Sequence, residues 1–113
     1  MQKKYYRLVV ITVGTMLLAG LAFLSAPVRA DNAAEATYKA KCAMCHGPDG
    51  KGETATGKAL KAGSFAAPAV AKMSDDDLAS AIAKGKNKMP AYEKSLKPDQ
   101  IKGLVAYIRS LAK

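Results

Sequence analysis

The sequence predicts an all-α domain of three to four helices and a long loop, preceded by a segment of different composition. Three observations support this fold class. Apolar residues near the C-terminus recur at the spacing of a helical stripe. Residues 47–63 are rich in glycine and show no alternation of apolar and polar residues, which favours a loop over a strand. With 113 residues, the chain has room for one domain at most.

The first thirty residues have the order of a secretory signal peptide. A basic start is followed by an apolar run over residues 8–24 and then by small or uncharged residues up to Ala30. We predict a signal peptide over residues 1–30, cleaved between Ala30 and Asp31. No paired arginine is present in the basic region, which favours the general secretory route over the twin-arginine route.

The alternative for this segment is an anchor that stays in the membrane. Its apolar run of 17 residues is at the short end of what can span a bilayer. A processing site follows so closely that we expect cleavage, release into the periplasm and no permanent membrane insertion. The functional domain is then residues 31–113.

Helix signals recur along that domain. Asn32 is a candidate N-cap for a helix over residues 33–41. Ser74, followed by three aspartates, predicts the capped start of a helix that closes at Gly85. Pro98 suits the first position of a last helix, and the spacing of its apolar residues predicts one buried stripe. That stripe consists of Ile101, Leu104, Val105, Ile108 and Leu111.

The charge of the domain argues against nucleic acid as a partner. Residues 31–113 hold 14 Lys and Arg against 9 Asp and Glu, a formal charge of +5, whereas the whole chain has +9. The lysines are scattered and no aromatic and basic cluster accompanies them. A mild positive field suits the attraction of an acidic protein partner.

The domain is also short of large apolar side chains. It has no Trp, and few other aromatic residues. A chain this short is seldom stable on its side chains alone, and its long loop needs something to fold around. A large apolar cofactor would complete the core.

Cys42, Cys45 and His46 form the C-x-x-C-H pattern of covalent haem attachment. A disulfide between the cysteines would close almost no loop and would restrain the unfolded chain little. On a helical turn, residues i and i+3 project to the same side, so both thiols can reach one porphyrin edge. His46 can then bind the iron from one side.

Two other uses of this cysteine pair are weaker. A thioredoxin-like redox pair needs a β-α-β context, and the sequence predicts no strand. A zinc site needs about four protein ligands, and His46 is the only histidine of the chain.

The domain resembles the short bacterial class I c-type cytochromes over nearly its whole length. Residues 42–47 with 49–52 resemble that family's haem site and the turn after it, and Tyr38 resembles the aromatic residue of its first helix. Residues 88–92 resemble the loop that delivers the second axial ligand, and residues 104–108 its closing helix. The resemblance implies the cytochrome c fold, wrapped around one covalent haem c.

The second axial ligand is chosen among three methionines. Met44 lies inside the attachment motif and cannot reach the opposite face of the haem. Met73 precedes the Ser74 cap, where a core-filling role is the simpler interpretation. Met89 lies in open loop before a proline and matches the family position, so we predict His46 and Met89 as the iron ligands.

Two departures from the family pattern are visible. Ala34 stands where many relatives carry a glycine at the crossing of the first and last helices. Many relatives also place a proline carbonyl against the far nitrogen of the haem histidine. Here Pro68 or a residue nearer Lys58 could provide it.

Two axial ligands would leave no open position for a substrate, so we predict a carrier of single electrons and not an enzyme. The alternatives are a haem-binding subunit of a larger complex, or a sensor or enzyme with an open sixth site. We expect a monomer that meets acidic redox proteins. Lys86 and Lys88 flank the predicted ligand and form either a docking rim or an ordinary solvated face.

Overall fold

The structure is a computed structural model that describes residues 2–5 and 30–113. The predicted signal segment therefore lies almost entirely outside the described residues. Within the described ranges, no helix is both long enough and apolar enough to cross a membrane.

The domain is built of helices and loops, as the sequence predicts. Three longer helices form its frame, and three short ones lie between the first and second of these. In chain order they are α1 (Ala30–Lys41), α2 (Ala43–His46), α3 (Ala55–Leu60), α4 (Pro68–Ala71), α5 (Asp75–Lys84) and α6 (Pro98–Leu111). Residues 30–113 contain no strand beyond an isolated bridge between Lys86 and Met89.

Two predicted boundaries differ from the structure. Helix α1 begins at Ala30, so Asn32 lies inside the helix instead of capping it. Asp31 falls in its first turn, where the helix dipole favours a negative charge. The glycine-rich stretch is not loop throughout, because it contains α3. The Thr54 side chain accepts a hydrogen bond from Gly57 N and caps this short helix.

The predicted start of α5 is confirmed. Ser74 and Asp77 form a reciprocal capping box, in which the Ser74 hydroxyl accepts from Asp77 N at 3.1 Å. The helix ends at Gly85, whose φ of 77° lies in the region that glycine adopts without strain. Leu78 and Ile82 are its buried residues, one turn apart on one face.

The core lies where α6 packs against α1 and α5. Tyr38 of α1 and Leu104 of α6 are fully buried, and the Tyr38 ring lies 5.2 Å from that of Tyr107. The predicted stripe of α6 is buried at Ile101, Leu104, Val105 and Ile108, whereas Leu111 at its end is half-buried. This packing holds one end of α1 in place, and the cysteine pair follows directly after that helix.

Candidate functional site

The attachment motif occupies a single helical turn. Cys42 follows α1 and is the N-cap of α2, and its carbonyl accepts from Cys45 N at 3.1 Å and from His46 N at 2.9 Å. Both cysteines are free thiols and both are half-buried. Burial raises the pKa of the Cys42 thiol; the positive charge of Lys41 opposes this shift, and Cys45 adds a smaller effect that raises the pKa. The helical turn predicted from the C-x-x-C-H spacing is therefore present.

Helix α3 supports this turn from outside. The Thr54 hydroxyl donates to the carbonyl of Met44 at 2.7 Å and also lies 3.0 Å from the Cys45 carbonyl. Gly57 lies so close that a Cβ at its position would stand 2.2 Å from the Cys45 carbonyl oxygen. This contact was not predicted from the sequence. A threonine cap three residues before a glycine was the signal that could have indicated it.

Tyr38 fixes the far end of the turn. Its hydroxyl donates to the Gly47 carbonyl at 2.7 Å in a buried position. Burial raises the pKa of this phenol well above its usual value, so it remains a protonated donor. Helix α1 thus contacts the motif at both ends. Cys42 follows it directly in the chain, and the Tyr38 side chain binds the carbonyl of Gly47, the residue after His46.

The imidazole of His46 is half-buried against an aromatic ring. Phe65 stacks on it with 4.7 Å between the ring centroids and 28° between the planes. Burial lowers the pKa of His46, which favours the neutral imidazole that can bind a metal. Its Nδ1 is buried without a hydrogen-bond partner in the described part of the chain, so neither Pro68 nor a residue near Lys58 gives it a carbonyl here. Phe65 was not singled out from the sequence.

The three candidate methionines have different surroundings. Met44 is 72 % exposed on the attachment turn. Met73 and Met89 are both half-buried against the core, so burial alone does not choose between them. Met89 closes a tight turn with Lys86 through two backbone hydrogen bonds, of 2.9 and 3.2 Å. Lys86 and Lys88 in this turn are exposed.

Comparison with known proteins identifies the family. A family model described as cytochrome C oxidase, cbb3-type, subunit III matches residues 29–108. The chain belongs to the small class I monohaem cytochromes c. Over 107 residues it is 33 % identical to cytochrome c6 of Nostoc sp. strain PCC 7120, an alignment that covers 94 % of this cytochrome and 91 % of the relative.

A solved structure agrees with this assignment. The cytochrome is similar to the KustC0563 c-type cytochrome, with a TM-score of 0.65 and 33 % identity. The match covers 71 % of this chain and 98 % of the other. The predicted cytochrome c fold is thereby confirmed.

The cofactor of the cytochrome is covalently bound haem c with its iron. The residues present fit this group. Two free thiols lie in one helical turn, and next to them is an imidazole whose buried Nδ1 has no hydrogen-bond partner among residues 2–5 and 30–113. In c-type cytochromes the function of this cofactor is electron transfer.

Proposed function

We propose that this cytochrome is an exported single-electron carrier that moves between redox proteins of the periplasm. The basic, apolar and small-residue order of residues 1–30 supports export by the general secretory route and cleavage before Asp31. The mature protein would then be residues 31–113, a monomer free of any membrane segment.

The observation that carries the proposal is the placement of Cys42, Cys45 and His46 on one turn. Cys42 and Cys45 would hold the porphyrin through two thioether bonds. His46 would bind the iron on the near side, and Met89 would bind it on the far side. Phe65 stacks on His46, and the Thr54 hydroxyl at the start of α3 donates to the Met44 carbonyl of the turn.

Haem c supplies a one-electron couple of ferric and ferrous iron. The task of the protein is to set the potential and to exclude competing chemistry. A thioether is a soft ligand that favours ferrous iron, so Met89 would raise the potential. If His46 and Met89 both bind the iron, no position would be left for a substrate. This arrangement favours a carrier over an enzyme.

Partner recognition would depend on charge. The formal charge of +5 over residues 31–113 favours acidic partners. Lys86 and Lys88 are exposed in the turn that leads into Met89 and would form a basic docking rim.

A second candidate function is that of a haem-bearing subunit. The description of the matching family model names a subunit of an oxidase, which favours this alternative over an open-site sensor or enzyme. A subunit would elute with its complex in size-exclusion chromatography of native extract, whereas a free carrier would elute at the volume of one small domain.

The main proposal is tested on protein purified from cells that carry out cytochrome maturation. We expect a mass equal to the chain from Asp31 plus one haem, with the haem retained in acidic acetone. We expect the spectrum of six-coordinate low-spin iron in both oxidation states. A chain that still begins at Met1 would contradict cleavage. Five-coordinate or high-spin iron would favour the sensor or enzyme.

A further inference from the structure

The loop that carries Met89 is tied back onto the helix before it. We call residues 85–96 the Met89 loop. Tyr92 N donates to the carbonyls of Ile82 and Ala83, at 3.1 Å each, and Glu93 N donates to the Ala83 carbonyl at 3.0 Å. Three residues before Tyr92, the Met89 turn is closed by its own backbone bonds. The Met89 loop and the end of α5 therefore form one hydrogen-bonded unit.

One side chain joins this unit to the attachment motif. The Tyr92 hydroxyl donates to the carbonyl of Lys41 at 3.1 Å, across a separation of 51 residues. Lys41 is the last residue of α1 and precedes Cys42. Among the hydrogen bonds of the described residues, this is the only one between the Met89 loop and residues 30–47.

The Tyr92 hydroxyl and the Lys41 carbonyl are well suited to this hydrogen bond. A carbonyl in the last turn of a helix has no donor within that helix, so it is free to accept from elsewhere. Burial raises the pKa of Tyr92, with smaller effects in the same direction from Cys42 and Cys45, so the hydroxyl keeps its proton at neutral pH.

We propose that Tyr92 is a positioning residue that holds the Met89 loop against the attachment motif and so keeps the Met89 sulfur at the iron. This inference rests on the proposed function, in which Met89 is the second ligand. Thioether bonds at Cys42 and Cys45 would be covalent and stable, whereas a bond from the Met89 sulfur to ferric iron would be weaker and reversible. Whether the Met89 sulfur stays on the iron would then depend on how firmly the Met89 loop is held against the attachment motif.

The test is the substitution Tyr92→Phe, which removes the hydroxyl and keeps the ring. Imidazole is titrated into the ferric holoprotein, and the loss of the thioether–iron absorption band is followed. Because one hydrogen bond is lost, we expect the apparent affinity for imidazole to rise roughly two- to tenfold. The haem should remain attached, and the protein should remain six-coordinate without imidazole.

Tyr107→Phe is the matched control. Within the described part of the chain the Tyr107 hydroxyl makes no hydrogen bond, and its ring packs on Tyr38. The control should bind imidazole as the wild type does. An equal rise in both variants, or no rise in Tyr92→Phe, would overturn the role of Tyr92.

Met89→Ala separates this inference from the proposed function. If Met89→Ala opens the iron to imidazole and Tyr92→Phe has no effect, only the role of Tyr92 is wrong. If Met89→Ala leaves the absorption band and the affinity unchanged, the ligand assignment is wrong and the inference fails with it.

Discussion

Ala34 of α1 faces Gly103 of α6 at the crossing of the first and last helices. A Cβ at Gly103 would stand 3.6 Å from the Cβ of Ala34, which is ordinary van der Waals contact. By the family resemblance seen in the sequence, Ala34 occupies a position where glycine is expected. In this protein the small residue at the crossing is Gly103 of α6. The distance to Ala34 still leaves room for one methyl group at Gly103.

We therefore predict that Gly103→Ala is stabilising. The new methyl group fits against Ala34, and alanine lowers the entropy cost of forming the helix interior by about 0.5–1 kcal/mol. Chemical denaturation of the holoprotein measures the effect, with Gly103→Leu as the comparison. The larger side chain has to push the helices apart and should cost about 1–3 kcal/mol. A loss of stability in Gly103→Ala would contradict the geometry of this crossing.

Leu104→Ala should strongly destabilise the domain. Leu104 is only 1 % exposed and packs where α6 meets α1, so its truncation should cost about 2–5 kcal/mol of unfolding free energy. The haem spectrum should not change, because no ligand moves. Lys102→Ala, at an exposed position of the same helix, is the control. An unfolding midpoint equal to that of the control would place Leu104 outside the core.

Gly57→Ala should disturb the attachment turn. A methyl group at this position would meet the backbone oxygens of Cys45 at 2.2 Å and Gly52 at 2.6 Å, so α3 must move away. We expect a loss of about 1–3 kcal/mol of stability and a lower yield of haem-loaded protein. Gly63→Ala is the matched control, because nothing lies within 4 Å of its Cβ position. Equal yields from the two variants would show that α3 does not support the turn.

Met89→Ala should leave the haem attached, lower the reduction potential and open the iron to added ligands. The thioether bonds would not depend on Met89, whereas its sulfur, as the proposed second ligand, would stabilise ferrous iron. Met73→Ala should reduce stability alone, and Met44→Ala, at an exposed position, should change neither property. Potentiometry and imidazole titration distinguish the three variants. If Met73→Ala opened the iron to imidazole and Met89→Ala did not, the second ligand would be Met73.

Reversal of the charges at Lys86 and Lys88 should slow electron transfer to an acidic partner. The double variant Lys86→Glu and Lys88→Glu removes attraction during the encounter, so the effect should be largest at low ionic strength and fade with salt. Stopped-flow measurements over a range of salt concentrations follow it. The control, Lys102→Glu with Lys113→Glu, changes the net charge equally. Equal slowing in both proteins would mean that electron transfer depends only on the net charge and that Lys86 and Lys88 do not mark a docking site.

Local chemistry explains why much of the fold could be predicted from the sequence alone. The capping box at Ser74 and the stripe of α6 depend on residues within a few positions of one another. The same holds for the helical turn of Cys42 and Cys45, whose spacing makes them neighbours on one side. The all-α class, the attachment motif and the haem cofactor follow from such short-range patterns.

The tertiary structure alone decided what surrounds the motif. Helix α3 lies against the Cys45 carbonyl, Phe65 covers His46, and Tyr92 reaches Lys41 from 51 residues away. Each contact joins segments distant in the chain, and each depends on how closely the packed core brings two backbones or rings together. Spacing and propensity describe neighbours along the chain, so they do not encode these distances.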